Sequence, residues 1–225
     1  FKDKKLCDIT PKDVIYWQNE MMKQTSKKDK EFSPTYLKTV HNQLSAIFNY
    51  AVRYYGLKDN PARIAGCMGK ETNGEMQFWT KEEYMKFSKA MMKKDGVFQA
   101  FEMLYWCGIR LGEMLALTPS DFDFEKNTVR INKSYQRLHG KDIITDPKTA
   151  KSNRVVQIPD FLADEMQDYI SRFYTIEPDE RIFILTKSFL HHEMDRGAKA
   201  SGVKRIRIHD LRHSACAALI ELGFS

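Results

Sequence analysis

The sequence predicts a mainly α-helical protein with a small antiparallel β-sheet, arranged as a helical N-terminal domain followed by a mixed α+β domain. Apolar residues recur at helical spacing through most of the chain, and strand-like runs occur only between residues 128 and 158. A glycine-punctuated stretch without sustained periodicity separates the two parts. We therefore expect domains at residues 1–65 and 78–225, joined by a linker at 66–77.

Two helix-start signals open the N-terminal domain. Thr10-Pro11 places a capping hydroxyl before a proline, and Asp13 follows three residues after the cap. Ser33-Pro34 repeats the device and predicts the start of a second, longer helix.

The second helix is expected to run to Tyr55 and to end at Gly56, with Asn60-Pro61 marking the next turn. Its apolar residues form one stripe that is expected to face the core. This apolar stripe consists of Leu37, Val40, Leu44, Ile47, Phe48, Ala51 and Tyr55.

The opposite side of this helix carries a polar stripe, consisting of Lys38, Asn42, Ser45, Asn49 and Arg53. One interpretation is a solvated helix face. The other is a surface for the DNA major groove, because these residue types contact phosphates and base edges. The residues of the stripe leave both interpretations open.

The second domain begins with further helices. Thr80 and Glu83 form a capping-box pattern, and the segment from Gly96 to Trp106 is apolar nearly all round, which indicates a buried helix. A helical segment from Leu111 to Leu117 is expected to stop before Pro119.

The spacing of apolar residues then changes from the helical period to the strand period, and later returns to the helical one. Three short strands are predicted at Thr128–Ile131, Ile143–Ile144 and Arg154–Ile158. Helices are predicted at Phe161–Phe173, Phe189–Ala200 and Asp210–Leu222, with Gly223 as the C-terminal cap of the last.

Composition narrows the function classes. The net charge of +6 and the pI of about 9.0 suit an anionic partner, although charge alone is a weak signal. No apolar run approaches a membrane span, and the charged start has no signal-peptide pattern. The cysteines Cys7, Cys67, Cys107 and Cys216 lack metal or redox spacing, so buried, reduced thiols of a cytosolic protein are expected.

The first motif that could take part in catalysis or binding consists of Arg110 and Glu113. A glycine precedes the arginine at a helix start, where the cation could help to hold an anion, and the glutamate lies one turn away. A surface Arg–Glu pair explains the same spacing equally well.

The second motif, residues 147–154, places Lys148 between two predicted strands. A hairpin tip there would project the lysine outward, although a solvated basic turn is the simpler interpretation of the segment by itself.

The third motif opens the last helix with His209, Arg212 and His213, after the basic run Lys204–Arg207. His209 and Arg212 are three residues apart and share one helical face, so both could meet one phosphate. This is the most specific of the three motifs.

In order, these motifs resemble the catalytic domain of the tyrosine recombinases, the family of the phage integrases. The connecting segments "LTPSDFDFEKNTVRI" and "PKTAKSNRVVQIP" resemble the family's helix-to-sheet passage and its lysine hairpin. The N-terminal part is similar to the family's helical core-DNA-binding domain, and this resemblance implies that the polar stripe of the second helix faces DNA. The lysine-rich composition and the sequence of the hairpin segment look most similar to integrases of Gram-positive conjugative transposons. The resemblance covers nearly the whole chain.

The resemblance implies a role for each motif residue. Arg110 and Arg212 would grip the oxygens of the scissile phosphate, and Lys148 would protonate the leaving 5′-oxygen. His209 would assist the attacking group by donating a hydrogen bond or accepting a proton. In supporting roles, Glu113 would brace Arg110, and His213 would support the opening of the last helix.

The chain departs from the family pattern in two respects. The family's tyrosine nucleophile and a final His or Trp follow the third motif and are expected beyond Ser225. The family's N-terminal arm-binding domain is not expected within residues 1–225. Tyr169 and Tyr174 precede the motif and are interpreted as helix-packing residues. We therefore expect these residues to bind DNA without covalent capture.

No cofactor or metal is implied by the resemblance. The one local cluster, His191–Glu193, lacks the second helical histidine of a zinc site and is interpreted as surface.

The implied partner is double-stranded DNA at attachment or crossover sites, in the bacterial cytoplasm, with assembly into dimers and tetramers and possible accessory DNA-bending or excision factors. Three alternatives are a type IB topoisomerase-like enzyme, a non-catalytic DNA-binding relative, and a basic helical protein unrelated to DNA.

Overall fold

The computed structural model describes residues 1, 3–25, 29–69, 76–146 and 152–221. The chain divides into two compact units, Phe1–Glu75 and Met76–Ser225. In the described residues, no helix is long and apolar enough to span a membrane.

The described residues of the N-terminal unit form three α-helices. They are α1 (Pro11–Lys23), α2 (Pro34–Tyr54) and α3 (Pro61–Ala65), and a short 3₁₀ turn at Leu6–Asp8 precedes them. The predicted starts of α1 and α2 are confirmed. The Thr10 hydroxyl accepts the Asp13 amide at 3.3 Å, and the Asp13 carboxylate accepts the Thr10 amide at 2.9 Å. The Ser33 hydroxyl accepts the amide of Tyr36 at 3.2 Å.

Asn60 caps a third helix where the sequence had predicted only a turn. Its side-chain oxygen accepts the amides of Ala62 and Arg63 at 2.9 and 3.0 Å. Its Nδ2 donates to the Ser45 carbonyl at 3.0 Å and to Asn49 Oδ1 at 2.8 Å, which ties α3 to α2.

The predicted apolar stripe of α2 is correct only in part. Phe48 is fully buried with Val14 and Ala62, but Ile47 and Tyr55 are 55% and 77% exposed. Position 47 lies about 100° around the helix from position 48, outside the strip that α1 and α3 cover. His41 occupies a buried position on the covered side.

Six helices belong to the C-terminal unit in the part of the chain that the structure describes. They are α4 (Lys81–Met91), α5 (Val97–Trp106), α6 (Leu111–Met114), α7 (Asp160–Ser171), α8 (Lys187–Ser201) and α9 (Asp210–Glu221). The prediction that α5 is buried is confirmed, since eight of its residues are buried. Gly223, the predicted cap of α9, lies outside the described residues.

The predicted helix at residues 111–117 is wrong in length, because α6 ends after one turn at Met114. The amides of Ala116 and Leu117 donate to the carbonyls of Glu113 and Met114, three residues back, at 3.1 Å each. This tighter bonding replaces the α-helical pattern before Thr118 caps the 3₁₀ turn Pro119–Asp121.

Within the residues that the structure describes, five strands form two small antiparallel sheets, where the sequence predicted three strands. They are β1 (Phe122–Asp123), β2 (Thr128–Ile131), β3 (Ser134–Leu138), β4 (Lys141–Thr145) and β5 (Arg154–Gln157). One sheet has the order β1-β2-β5, and the other pairs β3 with β4. The three predicted strands are confirmed, while β1 and β3 were not predicted.

The prediction of a hairpin around Lys148 is wrong. The strands on either side of it do not pair with each other, because β4 pairs with β3 and β5 pairs with β2. The turn of the β3–β4 hairpin is His139-Gly140, and both residues have positive φ, as a type I′ hairpin turn requires. Lys148 itself lies outside the described residues.

Two further predictions about burial are wrong. Cys7, Cys67 and Cys216 are exposed and Cys107 is half-buried, although all four cysteines are free. Only one face of α9, including Leu211 and Ser214, is covered, and Cys216 lies off that face. Tyr169 packs in the core as predicted, but Tyr174 follows the end of α7 and is fully exposed.

Candidate functional site

Arg110 stands at the N-terminal cap of α6, and Glu113 holds it there. The Arg110 amide donates to Glu113 Oε2 at 3.0 Å, and its Nη1 donates to Glu113 Oε1 at 2.8 Å. The Arg110 side chain remains 52% exposed, whereas that of Glu113 is 7% exposed. The pair therefore presents a fixed guanidinium to solvent from a buried carboxylate.

A second guanidinium, that of Arg154, contacts the same carboxylate. Its Nη2 donates to Glu113 Oε2 at 2.8 Å and its Nη1 to Oε1 at 3.3 Å. Burial would raise the pKa of Glu113, but the hydrogen bonds from Arg154 and Arg110 outweigh it and hold the pKa below its ordinary value. Arg154 was not among the site residues predicted from the sequence. Its position at the start of a predicted strand, in the same segment as Lys148, was the available signal.

The third motif meets the first through Arg212. Its Nη1 donates to the carbonyl oxygen of Gly108 at 2.6 Å, across 104 residues of sequence. Gly108 has a φ of +56° and lies two residues before Arg110. A Cβ built at Gly108 would lie 3.5 Å from that of Ala215, so α9 packs closely on this loop.

A second ion pair builds the start of α9. Asp210 is buried, and its carboxylate accepts the Arg207 amide at 2.9 Å and Arg207 Nη2 at 2.8 Å. Burial would raise the pKa of Asp210, and the bonds from Arg207 hold it below its ordinary value. The adjacent His209 is exposed, and its ring lies 5.5 Å from that of His213, at a right angle.

The structure thus places the first and third motifs in one region of the C-terminal unit. Arg212 contacts the loop that carries Arg110, and His209 and His213 lie on or beside the first turn of α9. The predicted Lys148 is the member of the set that lies outside the described residues.

The basic run before the third motif is neutralised locally. Lys204 lies 3.6 Å from Glu83, Arg205 pairs with Asp195, and Arg207 pairs with Asp210. These ion pairs therefore help to shape the fold around the site, and the guanidinium groups of both Arg207 and Arg110 keep exposed surface, with side chains 75% and 52% exposed.

The polar stripe of α2 is mixed in character. Asn42, Asn49 and Arg53 are exposed, while Lys38 and Ser45 are half-buried. Asn60 donates to both Ser45 and Asn49, so part of the stripe serves the packing of α3. These contacts leave the DNA-facing interpretation of the stripe as a prediction.

Among the residues that the structure describes, no group of three or more His, Cys, Asp or Glu side chains could hold a metal ion. His191 and His192 are exposed on α8. The surface interpretation is wrong for Glu193, which is buried and pairs with Lys94 and Arg196.

Comparison with known proteins identifies the family. The chain belongs to the phage integrase family, whose model matches residues 77–225. It is 29% identical over 229 residues to the ICEBs1 integrase of Bacillus subtilis, a match covering 96% of this chain and 60% of that protein. The chain spans about 60% of the length of the curated relatives it matches.

Solved structures show the same fold. The Tn1549 transposon integrase in complex with a circular intermediate DNA matches with a TM-score of 0.79 at 18% identity, covering 98% of this chain and 76% of that one. A lambda integrase dimer bound to a core site matches with a TM-score of 0.65 at 18% identity, covering 99% and 77%. The resemblance to tyrosine recombinases, including an integrase of a transposon, is confirmed.

Proposed function

We propose that this chain forms the core-DNA-binding and catalytic parts of a site-specific recombinase that integrates and excises a mobile element. It would cleave and rejoin duplex DNA through a 3′-phosphotyrosyl intermediate. One observation carries the proposal: the hydrogen bond from Arg212 to the Gly108 carbonyl brings the two arginine motifs together. The integrases among its relatives and DNA-bound structural neighbours support it.

Two guanidinium groups suit the chemistry of phosphoryl transfer. Negative charge builds on the oxygens of the scissile phosphate as it becomes five-coordinate, and fixed cations stabilise that charge more than they stabilise the substrate. Arg110 is held by a buried carboxylate and Arg212 by a backbone carbonyl, so neither has to be ordered at the moment of reaction.

The remaining roles follow from the family resemblance. Lys148 would protonate the departing 5′-oxygen, since an alkoxide is a poor leaving group, and His209 would assist the attacking hydroxyl. The covalent phosphotyrosyl bond would conserve the energy of the phosphodiester, so rejoining would need neither ATP nor a metal.

The N-terminal unit would supply a second DNA contact through the polar stripe of α2. Asn42 and Arg53 are its best-placed members, because both are exposed and neither bonds to Asn60. Ser45, Asn49 and Lys38 would contribute from the same side of the helix. The partner would be double-stranded DNA in the bacterial cytoplasm, with dimers and tetramers assembling on paired sites together with accessory DNA-bending or excision factors.

The experiment that tests the function uses the complete protein, as its gene encodes it, and two attachment-site duplexes. Recombinant molecules are the expected product. Relaxation of supercoiled DNA without recombinants would instead favour the topoisomerase-like alternative, and binding without any strand cleavage would favour the non-catalytic relative.

A separate experiment tests the expectation that the nucleophile is absent from residues 1–225. The fragment is incubated with a nicked suicide attachment-site duplex. We expect a non-covalent complex that denaturant dissolves, and a covalent protein–DNA adduct would show that this expectation is wrong.

A further inference from the structure

Arg154 has no role in the set of residues that the family resemblance assigns, yet it shares a buried carboxylate with Arg110. Each carboxylate oxygen of Glu113 accepts two hydrogen bonds. Oε1 accepts from Arg110 Nη1 at 2.8 Å and from Arg154 Nη1 at 3.3 Å. Oε2 accepts from the Arg110 amide at 3.0 Å and from Arg154 Nη2 at 2.8 Å. The carboxylate therefore lies between two guanidinium groups from different elements.

Burial makes this carboxylate dependent on both partners. The Glu113 side chain is 7% exposed, and burial opposes its ionisation. Removing one member of a buried ion pair leaves an uncompensated charge, which costs far more than the loss of a surface pair. The Arg154 side chain is 25% exposed, so it is the better shielded of the two cations.

Arg154 is itself held by rigid structure. It begins β5, where it pairs with Ile131 of β2, and its Nη1 also donates to the Ser152 carbonyl at 3.2 Å. The three-residue unit Arg110–Glu113–Arg154 thus joins the one-turn helix α6 to the β1-β2-β5 sheet. A helix this short makes few hydrogen bonds of its own, so an external anchor decides its orientation.

We propose that Arg154 is a positioning residue for Arg110. By supplying part of the charge that Glu113 needs, it keeps the carboxylate ionised and leaves outward-facing Arg110 N–H donors available for a phosphate. Without Arg154, the guanidinium of Arg110 turns inward as the sole side-chain counter-charge of Glu113. This inference rests on the proposed function, because it gives Arg110 a phosphate to hold.

The test compares Arg154→Gln and Arg154→Lys in the complete protein, with single-turnover cleavage of a suicide attachment-site duplex as the readout. Arg154→Gln is expected to slow cleavage by about 10–100-fold, by analogy with the loss of a residue that orients a metal ligand from outside the coordination shell. Arg154→Lys is expected to recover part of the rate, since it keeps the charge without the planar fork. Arg172→Gln is the matched control, because Arg172 is an exposed arginine of the same unit that pairs with Asp95 and Asp168.

Two further readouts separate positioning from a general loss of structure. Arg154→Gln removes hydrogen bonds that lower the pKa of Glu113, so this pKa rises and cleavage falls off at a higher pH on the acid side than in the unmodified protein. In a Glu113→Gln background, Arg154→Gln is expected to cause little further loss, because the carboxylate through which it acts is gone.

The outcomes distinguish this inference from the proposed function. If the unmodified protein cleaves and both Arg154 variants cleave at its rate, the inference alone fails. It also fails if Arg154→Gln costs as much in the Glu113→Gln background as in the unmodified protein, or if the acid limb does not move in a folded Arg154→Gln variant. If the unmodified protein cleaves no DNA, the proposed function fails and the inference fails with it.

Discussion

At the residue scale, the partner of each cation decides where its guanidinium is held. Arg205 and Arg207, in the basic run before the third motif, each pair with an aspartate. Arg110 and Arg212 are held by Glu113 and by the Gly108 carbonyl, which brings the first and third motifs together. The residues of the first and third motifs could be predicted because each motif joins residues that are only three apart in the sequence. Arg154 was missed although it lies in the Lys148 segment, because its partner Glu113 is 41 residues away and no local spacing joins the two.

Replacing Arg212 by alanine is predicted to separate catalysis from binding. In the complete protein, cleavage of an attachment-site duplex should fall by about 10²–10³-fold, the usual cost of removing one group that stabilises transition-state charge. In the 225-residue chain, the slope of log affinity for duplex DNA against log salt should become shallower by about 0.9, since one phosphate contact is lost.

Arg172→Ala serves as the control for Arg212→Ala, because Arg172 is exposed and pairs with two aspartates in the same unit. It should leave both the cleavage rate and the salt slope unchanged. Wild-type cleavage by Arg212→Ala would remove Arg212 from the catalytic set.

At the element scale, local signals predicted where most helices begin, and long-range packing decided the rest. The caps at Thr10, Ser33 and Thr80 are confirmed because a cap depends on residues three apart. The shortness of α6 and the pairing of β4 with β3 were missed, since both depend on contacts with neighbouring elements. The strand β3 was also missed because its sequence, SYQRL, is mostly polar.

The close approach of α6 to β3 predicts the effect of Gly112→Ala. A Cβ at Gly112 would lie 2.6 Å from Ser134 Oγ and 3.1 Å from the Tyr135 carbonyl oxygen. The substitution should lower the free energy of unfolding by about 1–3 kcal/mol, as overpacking does, and thermal denaturation would measure it. Gly112→Ala with Ser134→Ala should recover part of the loss. Unchanged stability in the single variant would contradict this packing.

Burial of His41 predicts that acid weakens the N-terminal unit. His41 Nδ1 lies 3.2 Å from Gln18 Nε2, and burial lowers the pKa of His41 below its ordinary 6.5. The folded state therefore binds the proton less readily than the unfolded state does, so stability present above pH 6.5 is lost as the pH falls toward the lowered pKa.

Urea unfolding, followed by the backbone NMR signals of α1 and α2, would measure this effect between about pH 7.5 and about pH 5.5. His41→Gln should remove most of the pH dependence in that window. An equal pH dependence in the variant would assign it to other groups.

At the scale of the whole molecule, composition and motif order support one function from independent directions. The net charge of +6 suits a polyanion, and three motifs occur in the order found in the tyrosine recombinases. The fold class could be predicted because the change of period between residues 128 and 158 marks the sheet region. The division into two sheets depends on strand pairing, which the period of a single strand does not specify.

A structure of residues 1–225 bound to an attachment-site duplex would test the central claim most directly, because that claim is a shared phosphate. We expect guanidinium nitrogens of Arg110 and Arg212 within about 3.2 Å of oxygens on one backbone phosphate, with the His209 ring beside it. Contacts from the two arginines to different phosphates, or an Arg110 guanidinium directed away from the DNA, would contradict the claim.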